Sequence, residues 1–337
     1  MDITLEQIAK LASVSPATVS RVINNHPNVR QVVRDRVRAV IEQVGYAPNA
    51  AARSLATKQT NIIGLVIPQE PEQNIKNDPI GFFTTLSQHI ARACSDHNKY
   101  LMLSMITPDQ STQFYRDIVR GGHIDGLIVG CGTMEDPVLP VLLGSKIPTV
   151  MVGRNPYYPD VYCIDADNFS GAVQAVTHLI ERGRRRIATI TLSLGGGAGL
   201  DRHSGYKRAL LQHGFTIDPA LIVETRYPDV SGPDAMRRLL QLATPPDAVF
   251  LGSDMIALEA LAVIRDAGLR VPEDIALVGF DDHPLAAVST PPLTTVRQPV
   301  AAMGRRAVEL LLQLLDEDTS QPRFMALPTE FVVRQSS

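Results

Sequence analysis

Ser15, Pro16, Ala17, Thr18, Ser20 and Arg21 bring three hydroxyls, two small apolar groups and one guanidinium into a span of seven residues. A small, hydroxyl-rich, singly charged face of this kind fits the major groove of a DNA duplex, where a recognition helix touches base edges with its N-terminal residues. A second set of chemistry-bearing residues lies far along the chain. The Ser253-Asp254 and Asp281-Asp282 pairs place carboxylates at what read as the ends of strands, and Arg202 places a guanidinium at the start of the helix after a glycine-rich loop. Such groups converging on a cleft hydrogen-bond vicinal hydroxyls bidentately, which is the chemistry of sugar recognition. The chain has no tryptophan, so a sugar ring would stack on Phe82, Phe83 or Phe280.

The first set needs a rigid pair of helices. Thr4 can cap a helix and Gln7 completes a capping-box pattern, after which Leu5, Ile8, Ala9 and Ala12 recur at helical spacing. Ser13-Val14 makes a turn, Ser15 caps a second helix, and Pro16 starts it where a missing N–H costs nothing. Along that helix Val19, Val22 and Ile23 face inward, while Pro16, Ala17, Thr18, Ser20, Arg21 and Asn24 stay outside. Residues 31–44 supply a third amphipathic helix with a stripe of Val33, Val37, Val40, Ile41 and Val44. Three helices burying one another's stripes make a sufficient, if marginal, small core. Its arginines, Arg34, Arg36 and Arg38, suit either phosphate contact or a solvated face.

Gly45 ends the third helix, and Asn49 caps a short alanine-rich helix at 50–57. A helix this short does not hold together alone in water, so it forms only when something packs on it. Leu55 has no core within that segment and is expected to wedge into DNA or to meet its symmetry mate.

The segments Asp-Ile-Thr-Leu-x-x-Ile-Ala, Ser-Pro-Ala-Thr-Val-Ser-Arg-Val-Ile-Asn and Gly-Tyr-x-Pro-Asn-x-x-Ala-Arg-x-Leu closely resemble those of the lac-repressor (LacI/GalR) family of sugar-responsive regulators, and the similarity continues to the C-terminus. Gly is the usual family residue where this chain has Ser13. The resemblance implies a homodimer on a near-palindromic double-stranded operator, with recognition helices in successive major grooves and paired hinge helices in the central minor groove. It assigns base reading to Pro16, Ala17 and Arg21 and intercalation to Leu55. Thr4, Ser15, Thr18, Ser20, Asn24, Tyr46 and Asn49 would mainly position the DNA backbone. Arg202, Ser253 and Asp281 match effector-contacting positions, with Ser253 standing where Asn is frequent. Pro79-Ile80-Gly81-Phe82-Phe83, together with the ADNFSGA and DRHSGYKRAL runs, is similar to members that sense oligosaccharides or glucosides.

The whole chain, 337 residues with 45% apolar content, is comfortable for two or three domains. No apolar run approaches membrane-spanning length, and MDITLEQIAK is not a secretory signal, so a cytoplasmic protein without a membrane partner is expected. Cys94, Cys131 and Cys163 are odd in number and apolar-flanked, and read as reduced buried thiols. The net charge of −3 conceals a division: residues 1–60 hold eight basic and four acidic residues, a net of +4, leaving −7 on the remainder. A basic head on an acidic body suits a protein that places only its head on phosphate.

From residue 61 short apolar runs alternate with helical patterns. NIIGLVIP, YLMLSMI, DGLIVG and TVMVG form one series; IATIT, LIVET, AVFLG and IALVGF form another. This rhythm occurring twice predicts two doubly wound parallel-sheet lobes, an architecture like that of periplasmic binding proteins, with the ligand in the cleft between them. The expected organisation is a helix-turn-helix domain at 1–48, a hinge helix and linker at 49–60, and an effector-binding and dimerisation domain at 61–337. Its lobes are expected at roughly 61–160 plus 293–322 and 161–292 plus 323–337. TTVRQ and FMALPTEFVVR are read as late strands crossing between them.

Several motifs are set aside. LGGGAGLD (194–201) lacks the Lys-Ser/Thr of a P-loop and the spacing of a dinucleotide fingerprint, and reads as a flexible loop at the cleft mouth. ERGRRR (181–186) closes a helix where cations favour the dipole, and reads as solvated. The Asp165–Asn168 segment reads as a helix cap. The histidines show no metal spacing, and Asp281-Asp282 has no nucleophile and points apart, so neither metal, cofactor nor catalysis is expected. The stretch after 315 reads as a charged turn without a leucine heptad, which favours a dimer over a tetramer.

The favoured reading is a sequence-specific DNA-binding regulator, a repressor of carbohydrate-utilisation genes, switched by a small sugar between the lobes. A solute-binding protein feeding a transporter would share the body, but it would carry a signal peptide and no helix-turn-helix. A sugar-acting enzyme would need a phosphate cradle or a catalytic dyad.

Overall fold

The computed structural model describes residues 3–23, 26–46, 59–68, 81–130, 138–225 and 230–337. The chain forms two compact units, one ending at Thr60 and one running from Asn61 to Ser337.

The N-terminal unit is built from α1 (Leu5–Leu11), α2 (Pro16–Ile23) and α3 (Gln31–Val44). Thr4 and Gln7 close a reciprocal capping box: the Gln7 N–H donates to Thr4 Oγ1 at 3.3 Å and the Thr4 N–H to Gln7 Oε1 at 2.8 Å. Ser13 turns the chain in the left-handed region, at φ 53°. Ser15 Oγ then accepts from the Thr18 N–H at 3.2 Å, capping α2. Gly45, at φ 62°, ends α3. Ile8, Ala9, Ala12, Val19, Val22 and Val37 are the buried core, with Val33, Val40, Ile41, Val44 and Tyr46 packed against it. These are the stripes read from sequence. The hinge helix expected at 50–57 lies outside the described residues, as do Asn24, Asn49, Leu55 and Cys131.

In the second unit, β1 (Ile62–Pro68), β2 (Tyr100–Ile106), β3 (Gly126–Gly130), β4 (Thr149–Val152) and β5 (Tyr162–Ala166) form a parallel sheet in the order 2-1-3-4-5, extended by β11 (Phe324–Leu327) beside β5. Side chains alternate across it as strand geometry requires. Ile63, Leu65 and Ile67 pack with α4 (Phe82–Asp96) and α12 (Val300–Leu315) on one face. Val66 packs on the other with a short helix, α5 (Ser111–Phe114), and α6 (Val138–Leu143).

The second sheet runs β7 (Ile222–Glu224), β6 (Ile187–Thr191), β8 (Ala248–Leu251), β9 (Ala276–Val278), again parallel. One face carries α7 (Asn168–Glu181) and α8 (Gly197–Gln212). The other carries α9 (Gly232–Leu240) and α10 (Asp254–Asp266), and a short α11 (Pro284–Val288) follows β9.

The chain passes between lobes at Asp167, at Gln298-Pro299 and at Pro328-Thr329, and an antiparallel ribbon of β10 (Thr295–Arg297) and β12 (Glu330–Val332) lies at these crossings. Two expectations need correction here. Tyr162–Ala166 was not among the expected strands, and the lobe limits at 161 and 323 assign both it and Phe324–Leu327 to the second lobe. Hydrogen bonding puts both in the first sheet, so the crossings fall several residues later. The YCIDA run carries an internal aspartate, which breaks the apolar pattern that marks its neighbours.

The glycine-rich stretch is also not a loop throughout. α8 starts at Gly197, where a Cβ would lie 2.0 Å from the Arg154 carbonyl oxygen; at Gly199 it would lie 2.2 Å from that of Ser193. Close backbone approach selects these glycines. Nor is ERGRRR merely solvated. The Arg184 guanidinium donates to the carbonyls of Asp247 and Pro272, and the Arg185 and Arg186 N–H groups donate to the Asp247 carboxylate, tying three loops together. Cys94 and Cys163 are buried, and neither is in a disulfide among the described residues.

Candidate functional site

In the N-terminal unit, α2 exposes Pro16, Ala17 and Arg21, with Thr18 and Ser20 half-buried. Ser15 is exposed and also hydrogen-bonds Thr18 Oγ1 at 2.9 Å, so both hydroxyls are fixed at the helix start. A firm N-terminus with few protruding groups lets the helix approach a groove closely. Thr4 is spent on the capping box, and Tyr46 is half-buried against the core, which leaves its ring holding α3 as much as facing outward.

The body holds its polar cluster where the doubly wound topology puts a crevice: beyond the strand C-termini, at the switch between the first and third strands of each sheet. The Arg202 side chain on α8 is 4% exposed. Its Nε donates to Asn168 Oδ1 at 2.9 Å, and its Nη1 to the Gly252 carbonyl at 2.6 Å and Asp281 Oδ1 at 3.1 Å. The guanidinium carbon sits 3.7 Å from the centroid of the Phe280 ring. Phe280 is fully buried, so it is the platform under Arg202 and not a surface for a sugar. Asp281 sits at φ 118° and also accepts from Gln298 Nε2 at 2.7 Å. A non-glycine residue held in that region is the kind of stored strain that gathers at ligand sites.

The polar chain continues into the first lobe. Asn168 Nδ2 donates to Asp165 Oδ1 at 3.1 Å, and Asp165 Oδ2 accepts from the Arg154 N–H at 2.7 Å. Burial pushes the Asp165 carboxyl up, opposed by its backbone N–H donors and the Arg202 charge. Arg154 itself reaches Asp201 on α8, with contacts of 2.5 and 3.2 Å, an ion pair that joins the two lobes. Within the Asp165–Asn168 segment the helix cap is Asp167, which accepts from the Ser170 N–H at 3.0 Å.

A cavity of about 540 Å³ opens beside this cluster. Its lining mixes apolar side chains, Phe82, Met255 and Val300, with polar and charged ones that include Asp281, Asp282, His283 and Gln298 as well as His89, Arg297 and Arg305. Phe82 meets Phe83 edge-to-face at 5.2 Å, and the Phe83 ring lies against Gly130, so Phe83 supports the wall that Phe82 presents.

Asp254, expected as a ligand contact, is placed elsewhere, and Ser253 has a capping role. Asp254 is fully buried, accepting from the His283 N–H at 2.8 Å and from Thr295 Oγ1 at 2.6 Å. Burial, then the nearby Asp281 charge, pushes its carboxyl up to about 8. It pins the crossing ribbon from beneath. Ser253 Oγ accepts from the Ile256 N–H at 3.3 Å as the cap of α10. Asp281 and Asp282 do point apart. Asp282 bonds Arg297 and Arg334, each at 2.6 Å, and these bonds reverse the effect of burial and hold its carboxyl low.

Gln298, Met255 and Val300 are not singled out from sequence, and Asn168 enters there only as part of a capping segment. Gln298 ends the late strand TTVRQ and Val300 follows it at a lobe crossing, which is the available signal. Among the described residues no group of His, Cys, Asp and Glu is arranged to hold a metal ion, and no helix is long and apolar enough to cross a membrane.

Residues 4–49 match the lacI family of bacterial regulatory proteins, and residues 176–337 match the periplasmic binding protein-like domain. The HTH-type transcriptional regulator CelR of Thermobifida fusca is 38% identical over 335 residues, which is 99% of this chain and 98% of that protein. A solved transcriptional regulator CelR–cellobiose complex is 34% identical, with a TM-score of 0.75 over 99% of this chain and 100% of that one. The lac repressor dimer bound to operator and the anti-inducer ONPF is 25% identical, with a TM-score of 0.84 over 100% and 99%. Since these matches run along nearly the full length of both partners, the chain belongs to the lacI family of bacterial regulatory proteins and is a DNA-binding transcriptional regulator, not an enzyme.

Proposed function

We propose that this regulator is a cytoplasmic repressor of carbohydrate-utilisation genes whose operator affinity is set by a neutral oligosaccharide, with cellobiose the first choice. The observation that carries this is a cavity whose lining combines an aromatic ring with a fixed carboxylate. Phe82 suits the flat face of a pyranose. Asp281, held by Arg202 and Gln298, suits sugar hydroxyls. A volume of about 540 Å³ falls in the range of pockets that enclose a small molecule. Cellobiose is the ligand of the similar CelR complex, which supports the choice.

Two copies act together, as in the lac repressor dimer on its operator. The exposed edge strand β2, with Tyr100, Leu103 and Met105, is an apolar surface suited to that pairing. Pro16, Ala17 and Arg21 of each copy read a half-site, and Leu55 enters the central minor groove. Sugar closes the lobes and releases the operator.

A thermal-shift screen over mono- and disaccharides tests the effector, because a ligand that binds only the native state raises its melting temperature. Cellobiose is expected to raise it and to release a labelled operator duplex at the same concentrations. A panel in which no saccharide does either refutes the reading.

A further inference from the structure

We propose that Asn61, Lys99 and Asp125 form a mooring that passes the state of the first lobe to the DNA-binding unit. They are positioning residues for the switch and touch neither sugar nor DNA. The inference rests on the sugar-controlled reading only for its ligand-dependent arm.

The topology comes first. In a parallel sheet all strand N-termini lie at one edge and all C-termini at the other. Phe82, on the cavity wall, follows the C-terminal end of β1. Asn61 precedes the N-terminal end of β1, a seven-residue strand, so the two edges are about 20 Å apart. Asn61 is also the first residue of the body, and the covalent path to the N-terminal unit runs through it. Any influence of the cleft on the DNA-binding unit that travels along the chain must pass this residue.

Asn61 is held far more firmly than a tether requires. Its N–H donates to Asp125 Oδ2 at 2.8 Å. Its carbonyl accepts from the Tyr100 N–H at 2.8 Å. Its side-chain oxygen accepts from Lys99 Nζ at 2.8 Å, and Lys99 in turn lies 3.6 Å from Asp125, with the two side chains 15% and 6% exposed. One residue at the head of β1 thus engages the start of β2 through its carbonyl and side chain and the start of β3 through its N–H. It does so at φ 60°, a left-handed conformation that Asn tolerates and most residues resist. A residue fixed by three hydrogen bonds gives the chain a defined point of departure from the body. When the first lobe turns, that point turns with it. The same fixity lowers the ordering cost of placing two heads on one operator.

The test uses the full-length protein with Lys99→Met, Asp125→Asn and Asn61→Gly; the last keeps the backbone conformation and removes only the side-chain link. Melting temperatures confirm which variants are folded. The mooring predicts that cellobiose affinity, by calorimetry, stays within about twofold of the parent. Specific operator affinity should fall about tenfold with non-specific DNA affinity unchanged. The ratio of operator affinities without and with cellobiose should collapse towards one, and Lys99→Arg should restore it. Folded variants that keep both operator specificity and the full ratio overturn the proposal. If the parent itself ignores every saccharide, the effector reading fails separately. The mooring is then decided by operator specificity alone: a tenfold loss in Asn61→Gly sustains it and an unchanged value overturns it.

Discussion

The DNA-reading surface and the sugar cleft are assembled in opposite ways. The first is one exposed helix face, residues 15–21, resting on a core of six buried side chains. The second draws Phe82, Arg202, Asp281 and Gln298 from four distant places, and its alignment depends on two sheets and three lobe crossings. A surface local in sequence tolerates loss of the rest of the molecule and is tuned one side chain at a time. A convergent site is a property of the packing, so one buried substitution disturbs both recognition and stability.

The contrast is broken most directly by removing residues 1–60. Specific operator binding should vanish in a gel-shift titration, while cellobiose affinity stays within about twofold; lost sugar binding would mean the two sites are not separable. Arg202→Met comes next. The sugar response should disappear, and the body should lose about 3 kcal/mol in denaturant unfolding, because removing one member of a buried ion pair strands the other. The cost sits at the low end of such losses, since the Asp281 side chain remains 25% exposed. A normal sugar titration would remove Arg202 from the site. Arg21→Ala should weaken operator binding by about 1–3 kcal/mol and relax preference at one base position, leaving stability and sugar affinity alone.

A subtler contrast is in pH dependence. Asp254 is pushed up to about 8 in the folded body, against about 3.9 in an unfolded chain. Its contribution is full below the lower value and is lost as pH rises through the higher one, so the melting temperature of the body should fall from about pH 4 to about pH 8. Asp254→Asn should flatten that slope; an unchanged slope would assign it to other groups. The smallest effect is expected from Ser253→Ala. Loss of the α10 cap should cost about 1 kcal/mol, with cellobiose affinity unchanged. A large loss of affinity would instead put the hydroxyl on the sugar.

The head was legible because its signals are local. Thr4 and Gln7, Ser15 and Pro16, and the valine stripe of α3 each specify structure within a few residues, and each lies as read. The body's alternating rhythm was legible for the same reason, since continuous apolar runs mark buried parallel strands. Reading failed where a residue's role depends on partners distant in the chain. Asp254 and Phe280 sit beside the cleft in sequence yet turn into the ribbon and under Arg202. Tyr162–Ala166 escaped notice because a buried aspartate, paired with groups from other segments, interrupts its apolar pattern.

Sequence by itself determined the helix-turn-helix, its exposed reading face, the doubly wound character of the body and the residue types able to hold a sugar. All of these follow from periodicity, capping and turn chemistry acting over a few bonds. Tertiary structure decided where the chain crosses between lobes, which carboxylate meets the cavity and which lies beneath it, and how Asn61 is fastened to two neighbouring strands. Those outcomes depend on burial and on hydrogen-bond partners that come together only when distant segments pack, because a buried polar group must be satisfied by whatever the fold brings beside it.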